Sequence, residues 1–413
     1  MSETVHIPQL RFPEFSGDWN RVKIQKLLDD KSIISHLDGN HGALYPRSEE
    51  FTKEGVPYVT ANDFINGKVD LKKCKCLPVE RASQFKKGIA HNGDVLFAHN
   101  ATVGPVALLE TDLEYVVLST TATYYRCDNN TLINKYLKVY LTSNDFVRQY
   151  SRVMSQSTRN QVPITTQRLF YINLPDKPEQ QKIAAFLTAV DSKIEQLSKK
   201  QELLGEYKKG LMQQIFSQAI RFRAGDTPGQ PLLPNGNSPS GSDFPNWEEK
   251  RLGDLCEITT GKLDANAMVE GGQYRFYTCA KEYYKIDDYA FDTDALIVSG
   301  NGANVGYIHH YQGKFNAYQR TYVLDSFTDN IVFVKFVLDG YLHKRIMKEK
   351  NEGNTPYIVM GTLTDMKINL PSFSEQTKIS NFLSSIDNKI EQVGKQLDES
   401  KQFKKALLQQ MFV

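Results

Sequence analysis

Two carboxylates and a lysine with the spacing of a metal-dependent nuclease centre occur at Pro175-Asp176 and Asp191-Ser192-Lys193. Such a set would hold a divalent cation and a lysine beside a scissile phosphate. A later stretch keeps Asp387 and Lys389 but has Ser372 where Asp176 stands, and both stretches carry a helical apolar pattern, so solvated helix charges are the better reading. Gly300-Asn301-Gly302 with Gly306 approaches a glycine-rich phosphate loop, yet Val305 occupies the place of the third glycine. Gly261-Lys262 is followed by Leu263 rather than by a hydroxyl residue, and no two prolines are adjacent. The Walker loop and the Asn/Asp-Pro-Pro-aromatic loop of amino-methyltransferases are therefore both missing. Cys74 and Cys76 with His91 or His99 lack the second ligand pair of a zinc site, and His309-His310 has no further partner in the pattern. The expectation is a chain without a catalytic residue, metal site or cofactor of its own.

These fragments sit inside a repeat. Residues 172–216, beginning Ile172-Asn173-Leu174-Pro175, align without a gap to residues 368–412, beginning Ile368-Asn369-Leu370-Pro371, with 22 identities in 45 positions. Glu179-Gln180 matches Glu375-Gln376, and Gln213-Gln214-Ile215-Phe216 matches Gln409-Gln410-Met411-Phe412. Weaker echoes precede each copy. Asp94, Leu96 and Val103-Gly104 correspond to Asp294, Leu296 and Val305-Gly306, while Trp19, Ile24 and Leu27 match Trp247, Leu252 and Leu255. Each half thus reads as a variable globular region followed by one long helix.

The helices carry a 3.5-residue seam: Ile183, Leu187, Val190, Ile194, Leu197, Leu204, Leu211 and Ile215 in the first, Ile379, Leu383, Ile386, Ile390, Val393, Leu397, Leu407 and Met411 in the second. Gln201 and Lys208, and Ser400 and Lys404, fill the polar seam places. Such a seam needs a helical partner, and the other copy is the economical one. Asp176 and Ser374 are the expected N-caps. About 38 helical residues span roughly 57 Å, long enough to act as a spacer.

The expected fold class is α/β (α+β): two similar domains joined by a pseudo-two-fold antiparallel pair of long coiled-coil helices. The expected divisions are 1–171, a first domain; 172–216, the first helix; 217–243, a Pro- and Gly-rich linker; 244–367, a second domain; and 368–413, the second helix. A length of 413 residues fits two such domains. No signal-like opening or bilayer-length apolar run is present, and the five scattered cysteines do not form a disulfide framework, so the expected location is cytoplasmic. A net charge of +2 decides nothing about nucleic acid, because a local basic face is what matters.

Over its whole length the chain resembles the specificity subunits of type I restriction-modification systems. The resemblance rests on the Phe12-Pro13…Trp19 and Phe244-Pro245…Trp247 openings, the Asp-x-Leu…Val-Gly turns, the Asn-Leu-Pro segments before Glu-Gln, and the two helix ends in Gln-Gln-Ile-Phe and Gln-Gln-Met-Phe. It implies that each domain reads one half of a bipartite duplex DNA target, the helices setting the gap. It also implies partners: two methyltransferase (modification) subunits, joined by restriction/translocase subunits, with S-adenosylmethionine, ATP and Mg held by those partners. Two alternatives stay open, a coiled-coil scaffold that recognises protein or glycan and the recognition subunit of another class of restriction-methylation enzyme.

Base edges are read by Asn, Gln, Arg and Lys, and phosphates are held by basic and hydroxyl groups. The candidate DNA-binding residues in the first half are Thr60, Asn62, Asn100, Thr102, Gln156, Ser157, Thr158, Arg159 and Asn160. Those in the second half are Ser299, Asn301, Asn304, Asn351 and Asn354. Lys72, Lys73, Lys75, Lys86, Lys87, Arg148, Arg152 and Arg159, and Lys344, Arg345, Lys348 and Lys350, are candidate phosphate partners.

Overall fold

The computed structural model describes residues 7–156, 158–222, 233–234, 244–349 and 356–412. It divides into two compact units, one built from residues up to Lys199 with those from Gly394 onward, the other from Lys200–Val393. The fold is mixed α/β, with two similar domains and two long helices. Each unit takes part of each long helix.

The first unit opens with β1 (Asn20–Lys23), α1 (Ile24–Asp29), β2 (Ile33–Asp38), β3 (Val56–Val59), β4 (Phe64–Ile65), β5 (Lys68–Val69), β6 (Lys75–Leu77) and α2 (Val79–Ala82). It continues with β7 (Ile89–Ala90), β8 (Val95–Asn100), β9 (Thr102–Leu108), β10 (Val116–Leu118), β11 (Ala122–Cys127), α3 (Asn134–Tyr140), α4 (Asn144–Met154), α5 (Ile164–Gln167) and β12 (Tyr171–Leu174). Helix α6 (Lys177–Phe216) then runs into the second unit. That unit holds β13 (Ile220–Arg221), β14 (Leu233–Pro234), β15 (Glu248–Arg251), β16 (Glu257–Thr260), β17 (Tyr274–Tyr277), β18 (Tyr284–Ile286), β19 (Phe291–Ser299), β20 (Ile308–Ala317), β21 (Thr321–Asp325), α7 (Ile331–Glu349), α8 (Met360–Thr364) and β22 (Lys367–Leu370). Helix α9 (Phe373–Gln410) follows.

Each unit is centred on a six-stranded sheet of the same plan, β2-β11-β8-β9-β5-β4 in the first and β16-β21-β19-β20-β17-β18 in the second. In both, the fifth strand lies parallel to the fourth. A two-stranded ribbon, β1 with β12 or β15 with β22, leads into the long helix. The first unit adds a second sheet, β6-β3-β10-β7, with its own small core around Tyr58, Leu77 and Phe85. Strand β8 is apolar at consecutive positions because both faces are covered. Val95 and Phe97 pack toward α3 and α4, and Leu96 packs toward Leu118 and Tyr124.

The strand echo seen in the sequence is out by one residue. Val95 and Phe97 of β8 face the helices, as do Leu296 and Val298 of β19, so Leu96 and Leu296 lie on opposite faces. Strand side chains alternate, and a one-residue offset exchanges the faces. The turn glycines do correspond. Gly104 and Gly306 both have positive φ, and a Cβ there would sit 2.8 Å from Tyr150 Oη and 2.9 Å from Ile346 Cδ1, on helices at matching positions.

In the first unit Ile183, Ala184 and Leu187 near the start of α6 pack with Leu407, Met411 and Phe412 at the end of α9. In the second, Met212, Ile215 and Phe216 at the end of α6 pack with Ile379, Leu383 and Ile386 near the start of α9. Within each unit the two segments are therefore antiparallel. The polar seam lysines have partners: Lys404 pairs with Asp191 in the first unit, and Lys208 pairs with Asp387 in the second. Asp191, part of the nuclease-like spacing, is thus a helix-pairing residue. The second cap differs from expectation, since α9 starts at Phe373 and places Ser372, not Ser374, at its boundary. Among the described residues no helix is long and apolar enough to cross a membrane.

Candidate functional site

The Glu-Gln pair at the start of each long helix fixes how that helix meets its domain. Glu179 accepts two hydrogen bonds from Arg11, both 2.8 Å, and one from Trp19 Nε1 at 3.2 Å. Glu375 does the same with Arg221, at 3.1 and 2.7 Å, and Trp247 Nε1 at 3.1 Å. The next residue closes the loop before the domain helix. Gln180 accepts from the Ile133 amide and donates to the Thr131 and Pro175 carbonyls, and Gln376 accepts from the Asn330 amide and donates to Asp329 and the Pro371 carbonyl. Both glutamates are buried, so the fork of two parallel bonds compensates the desolvation of the charges.

On this frame the hairpin joining β8 and β9 projects a tight tip, with Ala101 at φ +63°. A non-glycine residue in this region costs of order 1 kcal/mol unless its surroundings hold it. Asn160 does so: the Ala101 amide donates to the Asn160 carbonyl at 3.0 Å, and Asn160 Nδ2 donates to the Ala101 carbonyl at 2.6 Å. The Val162 amide also donates to the His99 carbonyl. The Thr120–Thr121 turn ties in a third segment, because the His99 amide donates to the Thr121 carbonyl and the Ala61 amide to Thr121 Oγ1. Thr60, Asn62, Asn100, Thr102, Arg159 and Asn160 are thereby brought to one rim of the first unit.

Their roles in that rim differ. Asn62 and Thr102 are exposed, whereas Thr60 spends its amide and hydroxyl on the Asp63 carboxylate, and Asn100 Nδ2 reaches the Thr120 carbonyl at 3.4 Å. Gln156 and Thr158 are exposed after α4, and Ser157 lies outside the described residues.

The second unit repeats the tip. Gly302, φ +78°, occupies the place of Ala101, Asn301 that of Asn100, and the Ile358 amide donates to the Gly300 carbonyl as Val162 does to His99. Asn304 Nδ2 donates to the Cys279 carbonyl at 3.1 Å, which draws in the loop after β17. Ser299 is fully buried, with its amide and carbonyl both used inside the hairpin, so it supports the tip rather than facing solvent. Asn351, Asn354 and Lys350 lie outside the described residues.

Basic groups sort similarly. Lys72, Lys86, Lys87, Arg148, Arg152, Lys344 and Lys348 are exposed, and Lys73 pairs with Asp70. Lys75 lies over the Phe51 ring, and Arg345 is committed to Glu349 and to the Asp365 and Gly361 carbonyls. Burial lowers the pKa of both His99 and His309, which flank the two tips. Burial also pushes the Cys74 thiol up to about 12 and raises Cys76, the opposite of what a thiolate ligand needs. Among the described residues no group of three or more His, Cys, Asp or Glu is placed to hold a metal.

The model of the type I restriction modification DNA specificity domain matches residues 34–204 and 245–400, one copy per half. The EcoDI specificity subunit of Escherichia coli is 41% identical over 167 residues, which cover 39% of this chain and 37% of that protein. The chain therefore spans little more than a third of that relative. The MjaVIII specificity subunit of Methanocaldococcus jannaschii is 23% identical over 437 residues, covering 97% and 92% of the two chains. The S subunit of the type I restriction-modification system from M. genitalium matches in fold with a TM-score of 0.63 at 17% identity, over 98% of this chain and 99% of that one. With the domain model matched twice over most of its length, the chain belongs to the family of type I restriction-modification DNA specificity subunits.

Proposed function

We propose that this chain reads DNA for a type I restriction-modification complex, without catalysing a reaction itself. Each unit recognises one half of a bipartite duplex target. Two methyltransferase subunits use the choice to methylate adenine, and restriction/translocase subunits use it to cut. S-adenosylmethionine, ATP and Mg belong to those partners. The observation that carries this reading is the clamped hairpin tip that follows the same central strand in both units and carries an asparagine at the matching bridge position, Asn100 or Asn301. Amide side chains at a fixed tip suit adenine, whose N6 and N7 they pair with in the major groove.

The test is to purify the chain with its methyltransferase subunits and to map methylated positions in the host genome with and without this gene. The expected result is salt-dependent retention on duplex DNA and a bipartite motif that vanishes with the gene. A methylome unchanged by the deletion, with no duplex binding by the complex, would overturn the proposal. So would methyl transfer by the isolated chain.

A further inference from the structure

Beside the second tip lies an arginine held between two tyrosine rings. Arg275 is on β17, its guanidinium carbon 4.4 Å from the ring centre of Tyr283 and 4.2 Å from that of Tyr311. Among the described residues its one hydrogen bond runs from Nη1 to the Tyr277 hydroxyl at 3.2 Å, and no carboxylate stands within ion-pair distance. Cation-on-ring contacts of this kind stabilise the charge without consuming its edge donors. The two rings fix the plane of the group, so little conformational entropy remains to be lost when its donors are used.

The fork belongs to the same surface as the tip. Tyr283 sits in the loop after β17 whose Cys279 and Ala280 carbonyls are bound by Asn304 and His309. Tyr277 touches His309 with ring centres 4.9 Å apart, and His309 touches Tyr307 at 4.9 Å. Tyr283 and Tyr307 are exposed. A phosphate would be held as well by a flexible lysine, such as the exposed Lys281 or Lys285 beside the loop, the latter with its Nζ 5.9 Å from the Tyr283 ring centre. A fork with its plane fixed, and with Nε and Nη2 unbonded among the described residues, matches O6 and N7 of guanine.

Resting on the DNA-reading function above, we infer that Arg275 specifies a guanine in the half-site read by the second unit. The experiment uses the full chain in complex with its methyltransferase subunits. The half-site belonging to the second unit is assigned by exchanging residues 244–367 with those of a relative of different motif. That half-site is expected to contain a G·C pair, and Arg275→Ala and Arg275→Lys to lose about 10- to 100-fold in discrimination at that pair alone. Replacing that guanine by 7-deazaguanine, which lacks the N7 acceptor, should weaken binding by the unaltered complex comparably. This second measurement stands even where a variant fails to assemble.

A second half-site without a G·C pair overturns the inference. Insensitivity to 7-deazaguanine does the same, as does a uniform loss with the motif kept and a salt slope lower by about one, the mark of a phosphate contact. In each of those outcomes the bipartite motif survives, whereas absence of any sequence-specific methylation would instead remove the underlying function.

Discussion

Replacing Glu179 by Gln tests the helix anchoring directly. The carboxylate side chain is 2% exposed and that of its partner Arg11 13%. Gln keeps the shape but turns one oxygen into a donor aimed at Arg11 and removes the charge that raises the arginine's pKa. Breaking a buried pair from one side costs about 3–5 kcal/mol, and slight exposure of Arg11 places this case near the lower end. Over a urea slope of about 2 kcal/mol per molar, the midpoint should fall by about 1.5 M. The sequence has two tryptophans, Trp19 and Trp247, each bonded to one of the two glutamates. In a Trp247→Phe background, Trp19 fluorescence therefore reports the first unit alone. The measurement compares that background with and without Glu179→Gln. A loss below about 1 kcal/mol would refute the anchoring argument, and Glu375→Gln in a Trp19→Phe background repeats the test on the second unit.

Phe412→Ala should cost the first unit about 3–5 kcal/mol by the same fluorescence assay, because the ring packs edge-on against Trp19 and Tyr140 at 6.2 and 5.7 Å; an unchanged Trp19 transition would count against it. Burial lowers the pKa of His36 to about 3, so the unfolded chain, with histidine near 6.5, binds one more proton between those values. Stability from this group is fully present above about 6.5 and falls with pH below it, by about 1.4 kcal/mol at about pH 5.5. The acid loss should be smaller by that amount in His36→Gln, and equal losses in the two proteins would contradict it. Adding one heptad to α6 between Leu197 and Leu204 and one to α9 between Ile390 and Leu397 keeps both seams in phase and adds about 10 Å of helix. Methylation mapping should then find the non-specific spacer longer by about three base pairs, at roughly 3.4 Å each, with both half-sites unchanged; an active complex with its original spacer would exclude a measuring role for the helices.

The long helices were legible because their signal is local and periodic, and their ends were fixed to within a residue or two by Pro175 and Pro371. The buried Glu-Gln pairs were visible as identities, but their meaning was not. Arg11 lies 168 positions from Glu179 and Arg221 lies 154 from Glu375, so no common offset relates the two arginines. The strand echo failed by one position because matching Leu96 to Leu296 and Gly104 to Gly306 demands two extra residues in the second copy, whereas its tip is longer by only one, between Asn301 and Gly306. Ser299 looked like a loop residue and is the last residue of a buried strand. The Arg275 site left no linear trace, since its rings come from a strand, a loop and the neighbouring strand.

The packing of Phe412 on Trp19 also sets a timetable for synthesis. Residues of the first unit emerge from the ribosome early, yet Leu407, Met411 and Phe412, which complete its core, are made after the whole second unit. Domains made early usually fold at once as the chain grows. This one must wait through nearly two hundred further residues with part of its apolar interior uncovered. A chaperone that shields such surfaces would meet the nascent chain during that interval, and chains broken off before α9 would present the unfinished core to proteolysis.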